Sequence, residues 1–580
     1  MSSGYTGQAA GGLTIQKYNN FRGVDFTDSK VAETRSPDAL NMWKDYKTLG
    51  KKIETRPEIE LLLSLSNTIH GLFFYTINNV DHWIIHCGTS LYDYNPSTEV
   101  KTTIKETGMN PAKSSGFIYN NIFYIIDGIN YLEYNGEMLK TVDGYVPTIA
   151  IHNYNTGSHK TFQDRNMISD YAKEIFFGDG TTTEYQLTTK DISEVTVWID
   201  EIQQATGYTA DTTNGIITFT TAPTKDTDSA NVTIRYKKPI AGYKNKIFNC
   251  TLTAIFDKRV FFSGNQDYPN AIFWCGLEDP RYISDKYYAN DGDLSKIRAL
   301  VPGNNALWVF KEPSQSNTTV FYHVPGLQYN EALEQSIKTY AETHSSITTG
   351  CKATGINFND DIVFFSDRGM EGISGDITTE QILGHRSTLV DRKLLNEANY
   401  SNMVLTEHEG YLMVIIDSHV YLADSRQKVN NNDHAEYEWF YWELSKDINI
   451  ATEHNGVLYL GSKVKDSVSG IYTLTNKADG RTINSYWTTP EDDFNYPQML
   501  KSTNKKGFKS DVSGTDIEIE VKTDTNNFKV LGTFSNTKGY IVTKIKEKKW
   551  NDIQLKYSCT KPFGIYGITL ESYIGSYVKR

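Results

Sequence analysis

The segment Tyr119–Gly136 reads YNNIFYIIDGINYLEYNG and contains one complete structural unit. A polar turn at Asn120 and Asn121 precedes an aromatic-rich apolar run, and a second turn at Asp127 and Gly128 precedes a second run. Asn and Asp tolerate the left-handed backbone conformation of tight hairpins, and Tyr, Phe and Ile favour strands. The segment therefore predicts two short antiparallel strands.

The same pattern of turn, strand, turn and strand occurs seven times along the chain. Its first turns fall near Asn79, Asn120, Asp257, Asn304, Asp360, Glu409 and Asn455, and five of the six intervals are 41 to 56 residues. A period of roughly 40–50 residues with several short strands is typical of propeller blades, which bury their apolar faces against neighbouring blades. We predict an all-β chain built on a β-propeller of six to eight blades, in which the first and last blades can share strands from both ends of the chain. A pair of stacked β-sandwiches with a similar strand rhythm is the alternative.

Two regions depart from the repeat. The long interval from Asn120 to Asp257 contains alternating stretches such as SEVTVWID and IITFTTAP, which predict a small inserted β-sandwich. Strictly alternating stretches after the last repeat, such as DIEIEVKTD and NDIQLKYSC, predict a C-terminal β-sandwich. The predicted domains are an N-terminal arm (1–60), the first blades (61–150), the inserted β-sandwich (151–242), the remaining blades (243–485) and the C-terminal β-sandwich (486–580).

The N-terminal arm carries helix signals. Ser36 is a good N-cap, Pro37 suits the first helical position, and Asp38 follows where its charge favours the helix dipole. Trp43 lies on the expected apolar stripe, and Gly50 can end the helix. We therefore predict a short capped helix in the arm. It either folds back on its own propeller or packs on a neighbouring subunit.

Composition excludes some functions and favours others. The net charge is −12 with no run of Lys or Arg, which argues against a protein that reads nucleic-acid sequence. A channel that lets DNA slide is better lined with carboxylates, because each neutralised phosphate holds the DNA in place. The five cysteines are scattered and predict free buried thiols. The sequence shows neither a signal peptide nor an apolar run of membrane-spanning length, so we expect a soluble protein made and assembled in a host cytoplasm, without membrane insertion.

No pattern in the sequence predicts catalysis, a metal or a cofactor. His82 and His86 are four residues apart but flank a strand pattern, so they do not have helical metal-ligand spacing. The chain has no H-E-x-x-H, G-x-S-x-G, phosphate-loop or dinucleotide motif, and its acidic loops show no paired carboxylates. We predict that the protein is not an enzyme.

The arm nevertheless resembles a known family. The stretch NFRGVDFTDSKVAETRSPDALNMWKDYKTLGKKIETRP is similar to the start of tail-tube or nozzle proteins of short-tailed phages, and to the propeller proteins called packaged-DNA stabilisation proteins. The matching positions are Gly23, Arg35, Pro37, Asn41, Arg56 and Pro57. The predicted insert also resembles small modules found in many phage tail and fibre proteins.

The resemblance implies a virion protein of the tail or neck. In that family the propeller subunits form a ring, usually of six, below the portal and adaptor, and its channel carries genomic DNA. We expect partners to be further copies of this chain, the portal or adaptor, and other tail proteins including fibres. The candidate interface and arm residues are Arg35, Pro37, Asp38, Asn41, Trp43, Arg56 and Pro57. The alternatives are a tail-tip propeller that binds carbohydrate for host adsorption, and a glycan-cleaving propeller.

Overall fold

The structure, a computed structural model, describes residues 12–27, 30–47, 52–77, 79–152, 159–225, 230–314, 318–331, 335–374, 382–431, 434–476, 482–536, 540–543, 545 and 548–577. These residues form mainly antiparallel strands in small sheets, so the predicted all-β propeller class is confirmed. Among the described residues, no helix has the length and apolar character needed to span a membrane.

Short strands dominate the N-terminal arm. They are β1 (Leu13–Tyr18), β2 (Gly23–Val24), β3 (Arg35–Ser36), β4 (Ala39–Leu40), β5 (Met42–Trp43), β6 (Ile53–Thr55) and β7 (Glu58–Leu65). The predicted helix is therefore wrong, because Arg35–Trp43 is three strands joined by bends, and Gly50 lies outside the described residues. Ser36 is fully buried and its hydroxyl donates to the Thr488 carbonyl at 2.7 Å, which replaces the expected N-cap contact. Hydrogen bonds to distant strands thus override the local helix signals.

The first two blades follow the arm. Their strands are β8 (Ile69–Ile77), β9 (Val80–Cys87), β10 (Ser90–Asn95), β11 (Val100–Lys105), β12 (Ser115–Tyr119), β13 (Ile122–Ile126), β14 (Tyr131–Tyr134) and β15 (Leu139–Thr141). Each group of four forms one antiparallel sheet in chain order.

The inserted region has nine strands. They are β16 (Thr148–His152), β17 (His159–Thr161), β18 (Tyr171–Phe176), β19 (Glu184–Gln186), β20 (Ser193–Ile199), β21 (Ile202–Gln204), β22 (Tyr208–Asp211), β23 (Ile216–Phe219) and β24 (Val232–Lys237). A six-stranded sheet in the order β17-β16-β18-β24-β20-β21 and a three-stranded sheet in the order β19-β23-β22 share one core. That core includes Phe176, Tyr185, Val197 and Ile234.

Three further blades come next. After α1 (Tyr243–Phe248), the strands are β25 (Leu252–Phe256), β26 (Arg259–Ser263), β27 (Ala271–Trp274), β28 (Tyr288–Asn290), β29 (Ile297–Gly303), β30 (Ala306–Lys311), β31 (Val320–Asn330), β32 (Gln335–His344), β33 (Gly355–Phe358), β34 (Asp361–Phe365), β35 (Met370–Ser374) and β36 (Ile382–His385). They form three four-stranded sheets in chain order. A short helix, α2 (Asp391–Leu394), and one 3₁₀ turn (Tyr400–Asn402) follow.

The last two repeats share a six-stranded sheet. Its strands are β37 (Val404–His408), β38 (Tyr411–Asn431), β39 (His434–His454), β40 (Val457–Ser462), β41 (Ser469–Thr475) and β7. The pairing register of β38 and β39 shifts between Asp417, whose φ is 54°, and His419, and again between Asp424 and Val429. Strand β7, from the arm, lies at one edge of this sheet and runs antiparallel to β41. The last blade therefore combines strands from distant parts of the chain, as the repeat predicted.

The turn residues explain why the repeat is visible in the sequence. Every predicted first turn contains a non-glycine residue with φ between 48° and 63°. These residues are Asn79, Asn120, Asp257, Asn304, Asp360, Glu409 and Asn455. Two-residue hairpin turns need left-handed residues, which Asn, Asp and Gly adopt most readily. The repeated polar pair is thus the sequence record of seven hairpins.

The C-terminal region belongs to an eleven-stranded sheet. Its own strands are β42 (Ser485–Thr488), β43 (Met499–Thr523), β44 (Lys529–Asn536), β45 (Tyr540–Thr543), β46 (Lys548–Trp550), β47 (Ile553–Cys559) and β48 (Gly564–Tyr577). The arm contributes the other four: β1 and β6 pair with β48, β4 pairs with β42, and β5 pairs with β6. The arm and the C-terminal residues therefore build one sheet.

The chain divides into two compact units. One comprises residues 1–69, 361–374 and 383–580, and the other comprises residues 70–360 and 375–382. In the second unit, neighbouring blades pack through shared apolar clusters; for example, Tyr75 and Ile84 of the first blade contact Phe123 and Ile125 of the second. In the first unit, the largest buried side chains include Trp439, Trp442, Trp487 and Trp550.

Candidate functional site

The arm crosses one strand segment of the sixth repeat, Glu438–Glu443 of β39. At its start, the guanidinium of Arg35 donates to both carboxylate oxygens of Glu438, from Nε at 2.8 Å and from a terminal nitrogen at 2.9 Å. The Glu438 side chain is fully buried, the Arg35 side chain is 14% exposed, and Arg22 approaches the same carboxylate at 3.6 Å. Burial by itself lowers the pKa of Arg35, but the hydrogen bonds and charge of Glu438 outweigh it and raise the pKa. The arm is therefore anchored by a buried, two-pronged ion pair.

A second anchor lies at the other end of this segment. Asn41, in the left-handed region with φ of 57°, accepts hydrogen bonds at Oδ1 from Arg56 Nε and from the Glu443 amide, both at 2.8 Å. Its Nδ2 donates to the Asn484 carbonyl at 2.8 Å. A terminal nitrogen of Arg56 donates to the Glu443 carbonyl at 2.9 Å. One amide side chain thus links the arm, the sixth repeat and the C-terminal sheet.

Burial changes the electrostatics of Arg56 without removing its charge. Burial lowers the pKa of Arg56 to about 10, which still leaves the guanidinium charged at neutral pH. Its other terminal nitrogen donates to the Pro57 carbonyl at 2.8 Å, at the point where the chain enters β7. Arg56 and Pro57 therefore fix the direction in which the arm continues into the last blade.

An aromatic contact lies between the two anchors. Trp43 is 5% exposed, and its ring meets that of Trp442 edge-on, with centroids 5.2 Å apart. The Tyr411 ring lies 5.7 Å away on another strand of the same sheet. Trp43 therefore packs against two aromatic rings of its own chain.

Gly23 lies tightly against β39, whereas Pro37 and Asp38 lie at the surface. A Cβ at Gly23 would lie 2.3 Å from the carbonyl oxygen of Trp439, so only glycine allows β2 to approach β39 this closely. Pro37 and Asp38 line a surface groove of about 580 Å³, and the Tyr486 hydroxyl donates to Asp38 at 2.9 Å. These two residues are therefore at the surface of the anchor and not within it.

We call Gly23, Arg35, Asn41, Trp43 and Arg56, with Glu438–Glu443, the arm clamp. All the clamp residues lie in one compact unit. The sequence predicted the arm residues of the clamp but not the strand against which they pack, which is the stretch EYEWFYWEL at 436–444. The available signal was Glu438, a carboxylate placed next to the aromatic run Trp439–Trp442, where a buried charge needs a cationic partner.

Other polar clusters are structural in their geometry. His82 contacts Asp93 at 2.9 Å, whereas His86 contacts the Ser114 hydroxyl at 3.0 Å, so this pair does not converge on a common point. No group of three or more His, Cys, Asp or Glu residues able to hold a metal occurs in the described part of the chain. The five cysteines are buried and form no disulfide bond among the described residues, as the sequence predicted.

His385 lies between two carboxylates. His385 contacts Asp391 at 2.5 Å and Glu371 at 3.2 Å. Burial lowers the pKa of this imidazole, but the two carboxylates outweigh that effect and raise the pKa to about 9. A protonated ring held between two carboxylates is an ion-pair bridge and does not act as a general base at neutral pH.

Comparison with known proteins yields the fold class only. No protein-family model and no curated protein sequence matches the chain. Among solved structures, Raptor from Chaetomium thermophilum is 9% identical with a TM-score of 0.33, over 73% of this chain and 29% of Raptor. The WD40 domain of Neurospora crassa Pan2 is 7% identical with a TM-score of 0.26, over 73% of this chain and 97% of that domain. Dihydro-heme d1 dehydrogenase NirN is 8% identical with a TM-score of 0.31, over 90% of this chain and 83% of NirN. These likenesses carry no argument about what this chain binds or does.

Proposed function

We propose that this chain is a structural virion protein, a β-propeller subunit of a ring in the tail nozzle or neck of a short-tailed phage. The ring encloses the DNA channel, retains the packaged genome and opens for its ejection. In this proposal the protein acts by assembly and has no enzymatic activity. Its partners are further copies of itself, usually six in all, the portal or adaptor, and other tail proteins including fibres.

One observation carries the proposal. The six positions through which the arm resembles nozzle and DNA-stabilisation proteins are Gly23, Arg35, Pro37, Asn41, Arg56 and Pro57. Four of them meet a single strand segment, Glu438–Glu443, through a close backbone approach or direct hydrogen bonds. Most of the positions that resemble the phage proteins therefore contact one strand segment. Matching residues that act together in one contact support a relationship more strongly than scattered identities do.

The clamp suits a subunit that carries load. The arm strands and the C-terminal strands form one sheet, and if the arm left, the buried Glu438 carboxylate would lose the guanidinium that neutralises it. In a ring under the pressure of packaged DNA, such a joint keeps the propeller and the C-terminal sheet together.

A surface for self-association is present on the same unit. Strand β1 pairs on only one side among the described strands, and its exposed side chains Leu13 and Ile15 are 36% and 49% accessible. Tyr573, the direct partner of Leu13 across β48, is 43% exposed. An edge strand with an apolar face favours pairing with another protein surface, and we assign it to a second copy of this chain.

Light scattering on the purified full chain tests assembly. We expect a mass near six times the 65.8 kDa of one chain. Substituting Ile15→Lys lowers that mass, whereas Ile202→Lys, at a side chain 68% exposed on the inserted region, does not. A monomer at every concentration would refute the ring.

Imaging of labelled virus particles tests location. We expect the protein in a ring below the portal, with carboxylate-rich loops facing the channel. A position only at the tail tip would favour the alternative carbohydrate-binding propeller, and channel loops rich in Lys and Arg would refute the proposed lining.

A further inference from the structure

The inserted six-stranded sheet has an outer face with an unusual set of side chains. In β18, β24 and β20, alternate residues such as Phe176, Ile234 and Val197 enter the core. The residues between them therefore form the opposite face. These are Tyr171, Lys173, Ile175, Thr196, Trp198, Thr233, Arg235 and Lys237, with Gln203 opposite Trp198 on β21. The three central strands are paired on both sides, so the face offers side chains and no free strand edge.

Arg235 lies at the centre of this face, between two aromatic rings. Its guanidinium carbon is 4.6 Å from the centroid of Tyr171 on one neighbouring strand and 5.9 Å from that of Trp198 on the other. Lys173 is directly opposite it on β18. Planar stacking on aromatic rings holds a guanidinium in one orientation while leaving its edge donors available.

One donor of Arg235, the Nε, is buried and has no hydrogen-bond partner among the described residues, and the guanidinium forms no ion pair with any described residue. The neighbouring Lys237 differs, since it binds Glu194 at 2.6 Å. Nε is buried and out of reach of a ligand, but the terminal nitrogens of the same guanidinium form no ion pair with a described residue, so they are suited to an external oxyanion.

Charge is segregated on the inserted region. Residues 151–242 contain eight basic and twelve acidic residues, a net charge of −4. The outer face nevertheless carries Lys173, Arg235 and Lys237 and, at its margin, the single carboxylate Glu194. A module that is acidic elsewhere repels a polyanion such as nucleic acid, but its one cationic face attracts a ligand with few, spaced negative groups.

We propose that this face binds an acidic glycan, a saccharide chain bearing carboxylate or phosphate groups. Arg235 and Lys173 take the oxyanion, the rings of Tyr171 and Trp198 contact the apolar faces of sugar units, and the Thr233 hydroxyl and the Gln203 amide bond to sugar hydroxyls. A flat, paired sheet suits a saccharide better than a peptide, which would need a strand edge or apolar pockets. This site is independent of ring assembly and adds host-surface recognition to a structural subunit.

Binding of defined polymers to the immobilised full chain tests the proposal. The probes are dextran bearing a few carboxymethyl groups for carboxylate, dextran bearing a few phosphate groups for phosphate, neutral dextran, polyglutamate and oligo-dT. We expect one or both acidic glycans to bind and dextran, polyglutamate and oligo-dT to bind at least tenfold more weakly. The glycan that binds identifies which oxyanion is recognised.

Variants connect binding to the face. Arg235→Met raises the dissociation constant at least tenfold and lowers its dependence on salt, and Lys173→Met raises it less. The matched control, Lys190→Met, removes an exposed positive charge elsewhere on the same region and leaves binding unchanged. Thermal unfolding of each variant shows whether the region is folded; if Arg235→Met is not, Lys173→Met carries the test. Three results would overturn the proposal: no glycan binding at millimolar concentration, an equal loss of binding in Lys190→Met, or equally tight binding of polyglutamate or oligo-dT. The mass measured by light scattering reports ring assembly separately, so failure of glycan binding is distinguishable from failure of the ring.

Discussion

Replacing Arg35 with Met should release the arm clamp locally. The substitution keeps much of the side-chain volume but removes both hydrogen bonds to the Glu438 carboxylate, at 2.8 and 2.9 Å. Glu438 is then a fully buried carboxylate whose nearest remaining cation is Arg22, at 3.6 Å and 36% exposed. We expect the arm to open more often while the blades remain folded.

The structure sets the size of the effect. Breaking a buried ion pair by removing one partner costs about 3–5 kcal/mol, because the other charge stays buried without compensation. Since Arg22 can neutralise part of the charge, we expect a value at the lower end, about 3 kcal/mol. That free energy corresponds to a roughly 100-fold increase in the population of the open arm.

Native-state hydrogen exchange measures this opening directly. The amides of Asp25 and Asn41 donate to the carbonyls of Ser36 and Tyr441, at 2.8 and 3.0 Å, so they exchange when the arm opens. We expect both amides to exchange roughly 100-fold faster in Arg35→Met, with amides of the inserted sheet unchanged.

A matched control and a rescue complete the test. Lys30→Met removes an ion pair to Asp493 at 3.2 Å that is largely exposed, and such pairs contribute about 0–1 kcal/mol, so exchange should rise less than about sixfold. Adding Glu438→Gln to Arg35→Met removes the stranded charge and should recover part of the protection. If Arg35→Met exchanges no faster than Lys30→Met, the reasoning is refuted.

Two further predictions concern the same compact unit. Trp43→Ala should lower the free energy of unfolding of the arm and its sheet by about 3–5 kcal/mol, because a buried ring in edge contact with Trp442 is lost. A decrease below about 1 kcal/mol in urea denaturation would contradict this packing role. Since the pKa of His385 is raised to about 9, its contribution to stability should be complete below pH 6.5 and be lost as pH rises through about 9. Unfolding of the wild type at pH 6.5 and 9.5 should therefore differ by up to about 3 kcal/mol more than that of His385→Gln, and equal pH dependence of the two would refute the bridge to Asp391 and Glu371.

The blades were predictable because their signals are local. Asn304 and Asn455, for example, are turn residues by their side-chain chemistry, and their φ values of 51° and 52° agree with that role. Strand β29, before Asn304, alternates in burial with the two-residue period of a strand, whereas β30, after it, is a nearly continuous apolar run that is buried throughout. The sharing of β7 with the last blade was also foreseeable, because a sheet repeat that lacks one strand needs another to complete it.

The arm shows where local signals stop. Ser36-Pro37-Asp38 has good helix-start chemistry, yet Ser36 is buried in a strand because Thr488 supplies its hydrogen-bond partner. Capping contributes about 1 kcal/mol, whereas the ladder, the ion pair and the aromatic contact together contribute several times more. The prediction failed because the competing partners lie more than 400 residues away along the chain.

Sequence alone is sufficient to predict the strand-rich class and the seven hairpin turns of the repeat. These follow from turn chemistry, side-chain alternation and spacing, which are written in neighbouring residues. The three-dimensional fold is what brings Arg35 to Glu438, joins three segments at Asn41 and places Arg235 between two aromatic rings. Such pairings depend on which distant strands become neighbours, and no local pattern carries that information.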